Sequence, residues 1–448
     1  MASPAKPKIA FIGLGAMGFG MATHLIKEGY AVTGFDVWPP TLERFRAAGG
    51  SIASTPAEAV RGHDYVVCMV ATAAQAEAVL FEGENPALSA LSKGVSLLLC
   101  STVPCVYVQS LEARLEAEGR GDVLLVDCPV SGGAGRAAGG TLSIMAGASD
   151  AALEKGRPLL RELSDVSKLY IVSGGIGAGS NMKMVHQVLA AVKILAASEG
   201  IALAQRLGLD LAHTYESIRN SDASAWMFGH RVPRMMSQFK PIASAITIIT
   251  KDAGIITSEA LRLGFPTPMA GTAEQVYLSS LLRGYGADDD SSLIRLYNEG
   301  VDSLASPPAE AVEDKEKKLA LVRGLLRGVY LCGTAESLAF ARRCGLDLDQ
   351  VHDLCTNAAG GSSMFEAVGP ELIDLFRGKQ TVSAGGGGGE SLQDVARQLQ
   401  EAVTEAQRLK MPLYLGTAAS NLIRLALQDG ETPSQPLPRA AIARVWAA

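Results

Sequence analysis

Short, almost wholly apolar runs recur through the first part of the chain, at 8–12, 31–35, 65–69, 95–100, 123–128, 142–146 and 168–172. Runs of this length, bounded by Gly, Pro and polar residues and mostly separated by helical patterns, read as buried strands. Their alternation predicts a mostly parallel, doubly wound α/β sheet with helices on both faces. From Asn181 to Leu207 the pattern changes. Val185, Val188, Leu189, Val192 and Leu195 fall at helical spacing and predict a long helix with an apolar stripe on one side. At 1.5 Å per residue it would span roughly 40 Å, enough to pass from one domain into another. Helical patterns then continue to about residue 282 and resume after a polar, Pro-containing stretch near 305–317.

The resumed pattern echoes the earlier one. A single offset of 137 residues relates Glu199 to Glu336, Gly208-Leu-Asp-Leu211 to Gly345-Leu-Asp-Leu348, and Met227-Phe228 to Met364-Phe365. A constant register of this kind predicts a duplicated helical domain. The second copy has lost the chemical residues of the first: Ala320 stands opposite Lys183, Arg323 opposite His186, and Arg397 near the place of Lys251. The expected division is a nucleotide-binding domain at 1–175, a helical domain at 176–302, a linker at 303–316, a degenerate helical repeat at 317–430 and a tail at 431–448. The kept apolar register predicts that the second copy packs on the first as a partner subunit would, an intrachain pseudo-dimer, with a homo-oligomer still open.

A formal net charge of −6 argues against a nucleic-acid or polybasic membrane surface, so an anionic ligand needs local positive charge. Seven scattered Cys with no CxxC pair suggest reduced, mostly buried thiols in a cytoplasmic protein. The first residues lack a signal-peptide apolar core, and no apolar run is expected to cross a bilayer. No metal-ligand spacing stands out.

Candidate chemistry begins at the first strand. Gly13-Leu14-Gly15-Ala16-Met17-Gly18 follows it directly and opens a helix. The first Gly suits a tight turn, the second lets backbone approach a pyrophosphate, and the third lets helix pack on strand. The helix N-terminus offers N–H groups and a positive dipole end. Asp36 ends the next strand, where a carboxylate takes a ribose 2′-OH and repels a 2′-phosphate, so NAD is expected over NADP. Ligands in such sheets bind beyond the carboxyl ends of the strands, which brings in the loops at 70–73 (Val70, Ala71), 101–104 (Thr102) and 129–134. In the last loop Ser131 offers a hydroxyl, and Gly132 and Gly133 offer N–H groups, to a carboxylate; the alternative is a plain glycine-rich turn.

Three segments then resemble one family in the right order. Residues 11–25 resemble the N-terminal signature of the β-hydroxyacid dehydrogenases, Asp127-Cys-Pro-Val-Ser-Gly-Gly133 their substrate loop, and Gly179-Ser-Asn-Met-Lys183 their catalytic segment. Trp226-Met-Phe-Gly-His-Arg-Val-Pro233 and the segment 244–252 are similar to the L-threonate dehydrogenase branch, which oxidises a four-carbon sugar acid. The resemblance covers about residues 8–300. It implies a Rossmann domain followed by helical domains of the 6-phosphogluconate dehydrogenase C-terminal type. It implies hydride transfer from a small anionic hydroxy acid to NAD, with Lys183 as general base. An unperturbed Lys amine, with a pKa of about 10.4, is a poor base near neutral pH, so burial and a neighbouring positive charge are expected to lower it. Ser131, Gly132, Gly133 and His186 are the implied substrate contacts, and Lys251 is placed near the nicotinamide or the carboxylate. His186 stands where the family usually has Asn. The alternatives are an imine or β-keto acid reductase on the same scaffold, against which Lys183 argues, and a cofactor-bound protein without catalysis.

Overall fold

The computed structural model describes residues 6–83, 85–298, 314–379, 390–428 and 436–446. Most of the linker expected at 303–316, the glycine run 385–389 and much of the tail lie outside them. The chain divides into two compact units, Met1–Lys183 and Met184–Ala448.

In the first unit, strands β1 (Ile9–Ile12), β2 (Val32–Phe35), β3 (Ser51–Ile52), β4 (Tyr65–Cys68), β5 (Ser96–Leu99) and β6 (Leu124–Asp127) form one sheet in the order β3-β2-β1-β4-β5-β6. Every pair is parallel. Helices α1 (Ala16–Lys27), α2 (Pro39–Ala47), α3 (Pro56–Val60), α4 (Ala73–Phe81) and α5 (Cys105–Ala117) connect the strands. Strand β1 shows why the sheet is covered on both sides. Ile9 and Phe11 enter one apolar cluster while Ala10 and Ile12 enter another, and all four are fully buried. The order reverses between β1 and β4, which makes their carboxyl ends the switch point of the fold.

The last apolar runs depart from the predicted single sheet. After β7 (Val130–Ser131) and α6 (Gly133–Ala138), β8 (Leu142–Ala146), α7 (Asp150–Leu163) and β9 (Ser164–Ile171) follow, and the three strands form a second sheet in which β7 runs antiparallel to β8. Backbone bonds between Asp127 and Gly147 join the end of its central strand β8 to the end of β6.

The second unit is helical. Helix α8 (Ala178–Arg206) carries the chain into it and is followed by α9 (Leu211–Arg219), α10 (Trp226–Met235), α11 (Ile246–Arg262), α12 (Pro268–Leu282) and a 3₁₀ segment, Asp290–Leu296. The same series returns as α13 (Lys315–Arg343), α14 (Leu348–Asn357), α15 (Ser363–Phe376), α16 (Leu392–Arg408), α17 (Tyr414–Gln428) and a 3₁₀ segment, Arg439–Trp446. Helices α8 and α13 both have 29 residues, α11 and α16 both 17, α12 and α17 both 15.

By contact the first unit ends at Lys183, inside α8, and both helical copies fall in the second unit. Their buried faces are shared. Glu199 on α8 accepts hydrogen bonds from Leu415 N and Gly416 N at the start of α17 (2.9 and 3.1 Å), and Glu336 on α13 accepts them from Met269 N and Ala270 N at the start of α12 (2.7 and 2.8 Å). A carboxylate at a helix N-terminus meets both orphan N–H groups and the dipole. Ala225 and Ser362, 137 residues apart, pair with one another: Trp226 N donates to Gly361 O and Ser363 N to Ser224 O, both at 3.0 Å. In each of these contacts one copy gives the other what it receives from it.

Helix α8 also differs from the predicted one-sided stripe. It is buried almost all round, Lys193 and Glu199 included. An 18-residue window reaches a mean hydropathy of 1.5, so by length and composition this helix could cross a membrane, contrary to the sequence expectation. The entire window is buried inside the protein, the situation of a central core helix.

Candidate active site

The glycine turn after β1 shows three separate constraints. Gly13 has φ +91°, and a Cβ there would sit 2.4 Å from Met69 O. A Cβ on Gly18 would sit 2.0 Å from Gly13 O, so only glycine lets α1 begin so close to the turn. Gly15 faces open space and caps α1 without a side-chain hydrogen bond. Leu14, Ala16 and Met17 complete the turn and the first residues of α1. Bare N–H groups beside open space fit the pyrophosphate of a dinucleotide. The Asp36 carboxylate accepts from Leu14 N at 2.7 Å and Trp38 N at 2.9 Å, which holds its negative charge at this turn.

Register brings further residues to the same edge, because Ile12, Cys68, Leu99 and Asp127 lie in one row across β1, β4, β5 and β6. Val70 and Ala71 follow β4 at that level. Val70 N donates to the buried Ser101 hydroxyl at 2.9 Å, and Ala71 N to Gln75 Oε1 at 2.8 Å. Thr102 follows β5 beside Ser101. Ser131 ends β7, nearly buried, and Gly132 and Gly133 follow with φ +137° and +73°, opening α6 without a side-chain cap.

Sequence reasoning missed Asp127 as the residue that docks the start of α8. Asp127 is fully buried at the end of β6, and its two oxygens accept from Ser180 N and Ser180 Oγ, both at 2.7 Å. Burial pushes its carboxyl up to about 7, against the N–H donors of Ser180, Gly177 and Gly179 that favour the ionised form. Gly179 permits the approach, since a Cβ there would lie 2.4 Å from Met145 O and 2.6 Å from Asp127 O. Lys183, buried at 5 % exposure, lies one turn beyond Ser180. The amine therefore belongs to the same unit as the glycine turn, Asp36 and the Ser131 loop. The visible signal was a carboxylate closing a strand; its partner, 53 residues away, was not visible.

His186 was expected as a substrate contact. It is fully buried, with Nδ1 3.0 Å from Gln187 Oε1 and Nε2 accepting from Gly360 N at 3.1 Å. Both ring nitrogens are thus engaged by the protein. Gln187, four residues after Lys183, was also missed; its Nε2 donates to Asp252 Oδ2 at 2.5 Å. Lys251 pairs with Asp252 at 2.9 Å, on α11 of the second unit.

A family profile described as the NAD-binding domain of 6-phosphogluconate dehydrogenase matches residues 8–174. Another, described as the NAD-binding region of NADP-dependent 3-hydroxyisobutyrate dehydrogenase, matches twice, at 177–297 and 318–437. The chain belongs to the 3-hydroxyisobutyrate dehydrogenase family. As a member it is an NAD(P)-dependent hydroxyacid dehydrogenase, and its relatives carry such names. L-threonate dehydrogenase of Cupriavidus necator is 38 % identical, over 64 % of this chain and 95 % of that one. The mouse mitochondrial 3-hydroxyisobutyrate dehydrogenase is 31 % identical, over 66 % and 88 %. A crystal structure of 3-hydroxyisobutyrate dehydrogenase from Salmonella typhimurium is 33 % identical with a TM-score of 0.61, covering 65 % of this chain and all of that one. Plasmodium falciparum 6-phosphogluconate dehydrogenase, at 15 % identity and a TM-score of 0.65, shares the fold over 95 % of this dehydrogenase and 93 % of its own chain.

Proposed function

We propose that this dehydrogenase oxidises a small sugar-derived hydroxy acid of the L-threonate type, with NAD as acceptor and Lys183 as general base. The observation that carries this reading is the Asp127–Ser180 clamp, which sets the Lys183 turn at the strand ends of the unit that holds the glycine turn. The cofactor supplies the hydride acceptor. The chain does the rest. Lys183 takes the hydroxyl proton as the carbinol carbon is oxidised, while the Ser131 hydroxyl and the Gly132 and Gly133 N–H groups hold the carboxylate. L-threonate, D-glycerate and 3-hydroxyisobutyrate, each with NAD and NADP, form the test panel. Turnover of L-threonate above the others supports the reading, and turnover of none of them refutes it.

The choice of NAD follows from the Asp36 charge beside Leu14 N. In Asp36→Asn the repulsion of a 2′-phosphate is gone, and the kcat/KM ratio of NADP to NAD should rise about tenfold, equivalent to about 1.4 kcal/mol. Steady-state kinetics with both cofactors measures it.

The second helical copy is read as a built-in partner subunit. The exchanged Glu199 and Glu336 contacts and the Ala225–Ser362 pairing support this, as does the double family match. A chain shortened to residues 1–313 loses the partners of Glu199 and the cover of α8, and should aggregate or be inactive. A stable, active short chain refutes the pseudo-dimer.

A further inference from the structure

The two helical copies exchange some contacts reciprocally, as Glu199 and Glu336 do, and others not, among them one at His186. His186 of the first copy receives the Gly360 N–H, in the turn 358–361 that follows α14 of the second. The equivalent positions do something else: Ala223 N bonds Ser221 Oγ at 3.2 Å, and Arg323 bonds Ser217 Oγ at 3.2 Å. The asymmetric contact exists on the copy that carries Lys183.

We infer that the turn 358–361 of the second copy is a positioning element for the Lys183-bearing face of α8, because the Gly360 N–H sets the tautomer of His186 and thereby the orientation of the Gln187 amide. A backbone N–H can only donate, so His186 Nε2 carries no proton and the ring proton sits on Nδ1. Nδ1–H then donates to Gln187 Oε1 at 3.0 Å, which leaves the Gln187 NH2 facing Asp252 Oδ2 at 2.5 Å. The Asp252 carboxylate only accepts, and its other oxygen pairs with Lys251 at 2.9 Å. A donor fixed at one end and an acceptor fixed at the other define every direction between them. Gln187 lies four residues after Lys183, on the same helix face. Its amide is thus set by a residue far away in the second copy.

The turn is gripped on its other side too. Lys193, seven residues after His186 and fully buried, donates to Gly360 O. Its amine also lies 5.8 Å from the Tyr330 ring centre and 5.5 Å from that of Phe365. Position 360 is closely packed, since a Cβ there would come 3.2 Å from Leu189 Cδ1 and 3.3 Å from His186 Cδ2.

The inference rests on the dehydrogenase reading for its kinetic consequence, and its structural part is tested separately. Nitrogen NMR of histidine-labelled full-length protein, with the His186 signals assigned by their loss in His186→Leu, reports the tautomer directly. We expect the Nδ1–H form at pH 7. Gly360→Ala should disturb that tautomer and lower kcat about tenfold, with the KM for NAD within about twofold. His186→Asn, whose amide can still donate to Gln187, should keep several-fold more kcat than His186→Leu. An Nε2–H or doubly protonated His186 in the unmutated protein overturns the inference. So does equal kcat in the two His186 variants, which holds even if Gly360→Ala fails to fold. A wild-type protein that turns over no hydroxy acid refutes the dehydrogenase reading instead, while the tautomer still tests this one.

Discussion

Lys183→Met should keep NAD bound and lose turnover. The substitution keeps most of the unbranched stem of a side chain at 5 % exposure, so the start of α8 stays in place. What disappears is the amine proposed to take the hydroxyl proton. A positioned general base contributes on the order of 10²–10⁴-fold, so kcat should fall by about that factor. Fluorescence titration should find the Kd for NAD changed by no more than about threefold, or ~0.6 kcal/mol. Normal turnover in this variant would remove Lys183 from the mechanism. Loss of NAD binding would give it a different job.

Asp127→Ala should be the most damaging change to stability at the site. It strips the acceptor from Ser180 N and Ser180 Oγ, and from the Gly177 and Gly179 N–H groups that also face it. Each buried donor left without a partner costs roughly 1–3 kcal/mol, so a total of about 3 kcal/mol or more is expected. A loss of that size corresponds to a fall in Tm of roughly 6–12 °C for a domain of this size. Calorimetry measures it. Asp127→Asn tests the charge. The folded carboxyl is raised from 3.8 to about 7, so the folded chain holds a proton that the unfolded chain has released. Its contribution is therefore complete below pH 3.8 and is lost as pH rises through about 7. Asp127→Asn does not titrate, so its Tm should fall less than that of the unmutated chain between pH 5 and 7. Parallel slopes would mean that Asp127 does not carry this proton.

The glycine turn was legible because its constraints are local. The apolar run 8–12, three spaced glycines and a carboxylate after the next strand all lie within 36 residues, and the steric limit at Gly18 is set by Gly13 O of the same turn, whereas that at Gly13 is set by Met69 O beyond it. Lys183 was legible through resemblance, but what places it was not. Asp127 and Ser180 are 53 residues apart, and nothing in their spacing says that one docks the other. The surroundings of His186 were hidden for the same reason. The resemblance implied a substrate contact there, but its partner Gly360 is 174 residues away in another copy of the fold. The one-sided stripe on α8 was an underestimate, because the small Ala and Gly residues between the large apolar ones are buried as well.

Strand and helix periods, the glycine turn and the register of the duplication are written along the chain, since each depends on neighbours in sequence or on repetition of a pattern. That the two helical copies fold into one unit, that α8 is its buried centre, and that a backbone N–H of one copy orients a side chain of the other were decided by packing. Apolar pattern states which faces must leave water, but hydrophobic burial is non-directional and names no partner for them. The polar groups carried inside with those faces must then find hydrogen bonds wherever the fold brings a donor or an acceptor, and for Asp127, Glu199 and His186 that meant residues far along the chain.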